Sequence, residues 1–319
     1  MDSHLLAKLG TLRQLEIFLK VAEVGGIALA AEQLHLTQPS VSIQVRKLAD
    51  AVGMPLYEVI GRRLKLTEAG RQVAGAAREI LTTLDRLSGS LNDLKGLQAG
   101  TLRIAVDNSA KYFLPQLLGP FCRRHPGVEV EFKEGDRSYL IDRLNSNLDD
   151  FYIFNHVPTD MDISHRPFLL NPLVVVATQQ HPLAARKKLS WQDLHGERLI
   201  VREQGSGTRV ALDEFLQEKQ WPLGRVMELS SSEAVKLSVM ADMGVGIMSA
   251  YALVNAEAEG LMQLPVAGFP IRTNWHIVHY RQKKHSTVAA SFLAFMEEEG
   301  EQHLPMQAIN ERIRQAGSE

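Results

Sequence analysis

The sequence holds a single cysteine, Cys122, in 319 residues, which excludes a disulfide within the chain. With no second thiol to resolve an oxidised one, and with Leu117, Leu118 and Phe121 around it in a helical pattern, Cys122 is expected to be a buried, inert thiol. Long hydrophobic runs are missing too. No stretch approaches a membrane span and the opening MDSHLLAKLG lacks the apolar core of a signal peptide, so a cytoplasmic location and no membrane partner are expected. Neither sign of charge dominates: 35 Lys and Arg stand against 37 Asp and Glu, which argues against a bulk coat for nucleic acid. The spacings of common catalytic centres are absent as well. There is no Ser/His/Asp order and no metal-ligand spacing, and Gly207 is followed by Thr208 and Arg209 where a phosphate-binding loop needs a lysine. His156, His165, His181, His276 and His279 are scattered and read as surface or packed residues. No metal and no resident cofactor are expected. What remains is ordinary for a globular protein, 45% hydrophobic and 23% charged, with length for two or three domains.

The near-neutral average hides one basic stretch, a local net of +3 between Leu36 and Leu66. Inside it, TQPSVSIQVRKLADAV (Thr37 to Val52) reads as a helix, with Thr37 as cap and Pro39 in the first turn, where a missing N–H costs nothing. Val41, Val45, Leu48 and Val52 recur at spacings of four, three and four and predict an inward stripe; Gln38, Ser42 and Arg46 share another face. That face suits DNA. Short hydroxyls (Thr37, Ser40, Ser42) allow close approach to phosphates, and Gln and Arg can each pair with base edges in the major groove. Upstream, Thr11 to Glu23 and Ala28 to Leu34 predict two further helices, the second with Ala30 and Ala31 small enough for a close crossing, and the set matches a helix-turn-helix. Two short strand-like runs around Gly61 follow, with Arg62 and Arg63 at the tip, placed to reach a phosphate or the minor groove as a wing.

From Thr67 the period changes. Val73, Ala77, Ile80, Leu84, Leu87, Leu91 and Leu94 alternate spacings of four and three, a heptad seam that predicts a helix roughly 40 Å long pairing with an identical partner. Gly96 and Gly100 are expected to break it and supply a hinge. Beyond Thr101 the pattern is strand, polar turn, helix, repeated. Such units place several helix N-termini on one sheet edge, and each is a small anion receptor. The turns are Asp107-Asn108-Ser109, Glu134 to Ser138, Glu203 to Thr208 and Ser230 to Ser232. In the third, the glycines of Gly205-Ser206-Gly207-Thr208 are expected to let the backbone curl, with Arg202 and Arg209 nearby. The tail from Gly300 reads as polar and interrupted by Pro305, with a short frayed helix left open.

These residues resemble a known family. TLRQLEIFLKVAE, AAEQLHLTQPSVSIQVRKL and GRRLKLTEAG are similar to LysR-type transcriptional regulators, specifically over the first 70 residues and diffusely to about Glu298. LHLTQPSVSIQV, SAKYFLP and REQGSGTR look like regulators of carbon-fixation (RuBisCO) operons. The resemblance implies an α/β chain with a winged helix-turn-helix (1–66), a linker coiled-coil dimerisation helix (67–96), a two-lobed effector domain like the periplasmic binding proteins (97–300) and a polar tail (301–319). It implies a dimer of dimers on promoter DNA, an activator whose DNA bend changes when a metabolite enters the cleft, with RNA polymerase as a further partner. DNA contacts would fall on Thr37, Gln38, Pro39, Ser40, Ser42, Arg46, Arg62 and Arg63. Effector contacts would fall on Asn108, Ser109, Lys111, Asp136, Asn155, Arg202, Ser206, Gly207 and Thr208. Two departures stand out. Ile43 replaces an arginine common in the family, so one contact is missing or becomes methyl packing. FYIFNHVP replaces the usual Asp-Leu-Ala-Ile and glycine, so Asn155 and His156 are expected to reshape the cleft.

The expected function is DNA binding gated by a small anionic metabolite, since Lys111, Arg137, Arg202 and Arg209 lie in or beside the polar turns. The alternative is an α/β enzyme that holds a phosphate in the 205–208 turn. A solute-binding transport module would share the two-lobed fold but needs an export signal.

Overall fold

Thr11 accepts a hydrogen bond on its hydroxyl from the Gln14 N–H and donates its own N–H to Gln14 Oε1, a reciprocal cap that opens helix α1 (Leu12–Val24). Gly25, at a φ of 68°, closes it. Helices α2 (Ile27–Gln33) and α3 (Gln38–Val52) follow, the latter capped by Thr37 with proline in its first turn. Ile17, Phe18 and Val21 of α1, Ala30 and Ala31 of α2, and Val41, Val45 and Leu48 of α3 form one core with Leu56. The two alanines do what their size predicts. Strands β1 (Tyr57–Ile60) and β2 (Arg63–Leu66) pair antiparallel, Ile60 opposite Arg63, as the wing. Thr67 then donates its hydroxyl to the Pro55 carbonyl at 2.7 Å and accepts from Gly70, tying the wing to the start of α4 (Glu68–Leu94). Gly70 has to be glycine, because a Cβ there would lie 1.8 Å from the Leu56 oxygen.

This computed structural model describes residues 11–60, 63–94, 99–254 and 260–316, which divide into two compact units, one built largely on the first 91 residues. Along α4, Ala77 is buried while Ile80, Leu84, Leu87 and Leu91 are 38–54% exposed, so the seam lies open on the chain. The side chain of Leu94 lies outside the described residues, as does Gly96. Gly100 is no hinge: it sits inside β3 (Ala99–Asp107), paired with Val128, because the strand begins three residues before the alternation of Leu102, Ile104 and Val106.

The second unit is a nine-stranded mixed sheet in the order β4-β3-β5-β11-β6-β9-β7-β8, with β10 (Leu261–Gln263) on β6. β4 (Gly127–Gly135), β3 and β5 (Phe151–Phe154) are parallel, as are β9 (Val245–Ser249), β7 (Arg198–Arg202) and β8 (Arg225–Leu229). Between these halves run two long antiparallel strands, β6 (Ile163–Thr178) and β11 (Ile271–Tyr280), so each lobe is a parallel α/β wing on a shared spine. The continuous apolar run Leu173 to Ala177 is fully buried in β6. Helices α5 (Leu114–Arg124), α6 (Arg137–Asn145), α7 (Gly207–Lys219), α8 (Ser232–Met240) and α9 (Thr287–Glu298) cover the sheet. Phe121 meets Phe292 edge to face at 5.0 Å and Phe295 at 5.7 Å, which fastens α5 to α9.

Three expectations need correction. Cys122 is half-buried, because it lies one residue past the inward stripe that ends in Phe121. Leu140, Ile141, Leu144 and Leu148 predict one inward helical stripe after Ser138, but the α6 helix stops at Asn145 and Leu148 lies beyond it. The tail folds: α10 (Met306–Ala316) buries Ile309 completely, and its Arg312 carbonyl accepts from Gln263 Nε2 at 3.0 Å. Pro305 precedes this helix, a position that proline tolerates, and the few apolar residues of the segment share one face.

Candidate functional site

Two surfaces carry the chemistry. On the first, Thr37, Gln38, Pro39, Ser40 and Arg46 of α3 are exposed and Ser42 is half-buried. The Thr37 and Ser40 hydroxyls are 2.8 Å apart, and Thr37 also accepts the Ser40 N–H, so the first turn is stiff. Among the described residues no carboxylate pairs with Arg46 or with its exposed neighbour Lys47. A rigid helix start with two uncommitted cations is a surface for polyanions. Arg62 and the side chain of Arg63 lie outside the described residues.

The second surface is assembled where β3, β5 and β7 end. Asp107, 2% exposed, accepts from both the N–H and the hydroxyl of Ser109, at 3.0 and 2.5 Å, so Ser109 is already committed. Asn108 is half-buried and donates its N–H to the Gly135 carbonyl. Lys111 is paired with Glu134 at 3.1 Å. Asp136 accepts the Tyr139 N–H at 2.8 Å and thereby caps α6. From the other lobe, Ser206 caps α7 through the Arg209 N–H, and Ser206 and Thr208 are buried. Asn155, 9% exposed, bridges the lobes by donating its amide to Thr208 Oγ1 at 3.3 Å.

Gly205, at a φ of 84°, supplies the expected curl, but Gly207 does not. It is glycine because a Cβ there would sit 1.6 Å from Asn155 Oδ1. The carboxamide of Asn155 therefore lies directly on the start of α7.

The four cations near these turns differ sharply. Arg202 is almost fully buried; it grips Glu203 with Nε and Nη2 at 2.7 Å and gives Nη1 to Ser232 at 2.7 Å. Burial works against its charge, yet Glu203 and Asp107 hold its pKa above the usual arginine value. Arg209 is held by Asp213 and Glu228 at 2.9 and 3.0 Å. With Lys111 on Glu134, three of the four are satisfied. Arg137 is the exception: half-buried at the first position of α6, it donates to the His156 carbonyl, lies 6.0 Å from the Phe154 ring and has no ion pair among the described residues. Burial pulls its pKa down, and only the more distant Asp107 opposes that. Its charge raises the local potential, and the pKa of His156 is pushed down first by burial and then by Arg137. Arg137 was legible as one cation among several; that it alone lacks a carboxylate was not.

Tyr112 completes the surface from the first lobe by donating its hydroxyl to Glu233 of the second at 2.7 Å. No sequence signal links residues 121 positions apart. Among the described residues no group of three or more His, Cys, Asp or Glu side chains could hold a metal ion, and no helix is long and apolar enough to cross a membrane.

Residues 12–71 match the model of the bacterial regulatory helix-turn-helix proteins of the lysR family, and residues 95–301 match that of the LysR substrate binding domain. The HTH-type transcriptional activator CmpR of a Synechocystis strain is 44% identical over 91% of this chain and 95% of its own. A RuBisCO operon transcriptional regulator of Acidithiobacillus ferrooxidans is 41% identical over 90% of this chain and 93% of its own. Among solved structures, the CcmR regulatory domain of Synechocystis PCC6803, in complex with 2-PG, is 37% identical, with a TM-score of 0.58 over 62% of this chain and 95% of that one. These relatives are regulators and not enzymes, and the reading of the 205–208 turn as an enzyme's phosphate holder falls with them. With a winged helix-turn-helix, a long helix and a two-lobed α/β domain in that order, the chain belongs to the LysR family of bacterial transcriptional regulators.

Proposed function

We propose that this regulator controls carbon-fixation genes and that its effector is a small phosphorylated carboxylate bound at Arg137. The observation that carries the anion is that uncompensated, half-buried guanidinium, set beside the starts of α6 and α7. A charge left without a partner in a water-poor site is costly, and an anion relieves that cost. Related carbon-fixation regulators and the 2-phosphoglycolate complex of CcmR support the class of ligand. Arg137 is the primary contact in this reading. Asn108, Ser109, Lys111, Asp136, Asn155, Arg202, Ser206, Gly207 and Thr208 frame it, several by holding backbone and neighbours in place.

The rest of the assembly follows from the two surfaces. The open leucine seam of α4 pairs with a second copy, dimers associate in pairs, and two α3 helices enter the major groove of an interrupted inverted repeat in promoter DNA. The wing arginines reach the minor groove, and the complex meets RNA polymerase in the cytoplasm as an activator. Calorimetric titration of 2-phosphoglycolate and of simple phosphate and carboxylate controls into the full chain tests the effector. Tight binding that Arg137→Gln weakens by about 10- to 100-fold is expected, the scale of a charge-assisted hydrogen bond. Equal affinity in the variant, or no binding of any anion, would remove Arg137 from the site.

A further inference from the structure

Helix α3 advances about 100° per residue, so the directions of Val41, Val45, Leu48 and Val52 average to one inward vector. The residue in the first half of the helix that points straight away from that vector is Ile43. It is 51% exposed and takes no part in the helical core. Pro39 and Lys47 lie one turn to either side of it on the same face, with Arg46 beside it. An isoleucine exposed on a polar face, among Pro39, Arg46, Lys47 and Asp50, is out of place on a solvated surface and is the only large aliphatic side chain of α3 left exposed.

We infer that Ile43 reads the 5-methyl group of a thymine in the major groove. The inference rests on the reading of α3 as the helix that enters the groove. An aliphatic side chain can neither donate nor accept a hydrogen bond, so the one base feature it can recognise favourably is apolar. In the major groove that feature is the thymine methyl; guanine, adenine and cytosine present donors and acceptors there. The N-terminal half of a recognition helix makes the base contacts, which is where Ile43 lies. Arg46 and Lys47, one helical step away, are placed for a neighbouring base and for phosphate, so the methyl contact sits inside a charged frame that fixes the helix in depth. Desolvating both partners supplies the discrimination, with no repulsive element needed.

Duplexes selected from a random pool by the full-length protein test this when every thymine is replaced singly by deoxyuridine, which removes the methyl and leaves pairing and O4 intact. Anisotropy at fixed salt should show the wild type losing about three- to fivefold at one thymine in each half-site, the scale of one buried methyl. Ile43→Ala should bind the parent duplex more weakly by a similar factor and show no further loss at that position. The substitution is on an exposed helical face and alanine favours helix, so folding is retained. A wild type indifferent to every deoxyuridine, or an Ile43→Ala variant with an unchanged deoxyuridine profile, would overturn the inference. Arg46→Ala separates the two levels: if it too leaves specific binding unchanged, α3 is not the groove helix; if it weakens binding while the methyl scan is flat, only the role of Ile43 is lost.

Discussion

The arginines of the helical unit and those of the sheet unit are used in opposite ways. Arg46 stands exposed on α3 and forms no ion pair among the described residues, although Asp50 lies one turn further along the helix, whereas Arg202 and Arg209 are buried and each is clamped by acids within 3.0 Å. An exposed cation keeps its hydration and its freedom, so it can be handed to a phosphate or a base at little cost. A buried one has given up water and depends on its carboxylates. Proximity of basic residues to a polar turn therefore says little about ligand binding until their partners are known, and of the four cations near the turns Arg137 is the one that, like the exposed cations of α3, has no ion pair among the described residues.

The comparison can be broken most directly at Arg202. Arg202→Ala should destabilise the chain by roughly 3–5 kcal/mol in chemical denaturation, since it strands Glu203 and Ser232 at a buried site. A loss near zero would mean that Arg202 is no more structural than Arg46. For Arg46→Ala the expectation is reversed: no change in stability, and specific DNA binding weaker by about 1–3 kcal/mol. Equal losses on specific and random duplexes would show that Arg46 only neutralises phosphate.

The smallest effect expected is in the response to acid. His285 lies against Phe151 at 4.8 Å and His279 at 4.5 Å, and burial, followed by the charges of His279 and Lys283, pushes its pKa down to about 4. The unfolded chain takes up this proton near pH 6.5 and the folded one resists it. Stability from this group is therefore complete above pH 6.5 and falls as pH drops from 6.5 towards 4. Urea midpoints for wild type and His285→Gln across that range should converge as the pH falls; parallel curves would show that His285 is solvated. His35, the histidine described in the helical unit, is exposed and offers no comparable site.

Much of the molecule was legible in one dimension because its signals are local. Thr11, Thr37 and Ser206 act within three residues of themselves, and the stripes of α3 and α4 are periodic along a single helix. The packing of the tail was not legible, for the complementary reason. Ile309 is one apolar residue in a polar stretch, and its burial depends on a surface built by residues far away in the chain. Gly207 gives the same lesson at the site: its conservatively expected role was backbone curl, while the contact that demands glycine comes from Asn155, 52 residues upstream by number and on the other lobe.

By itself the amino-acid order determined the helix caps, the core stripes, the alternation of strand and helix and the family, since each depends on spacing of a few residues and on the fixed periods of helix and strand. Tertiary structure alone decided which charged groups meet. A carboxylate stabilises an arginine only within a few ångströms, and those distances are set by how the strands are ordered across the sheet. That is why Arg202 and Arg209 are occupied, Arg137 has no carboxylate partner among the described residues, and Asn155 lies across the start of α7.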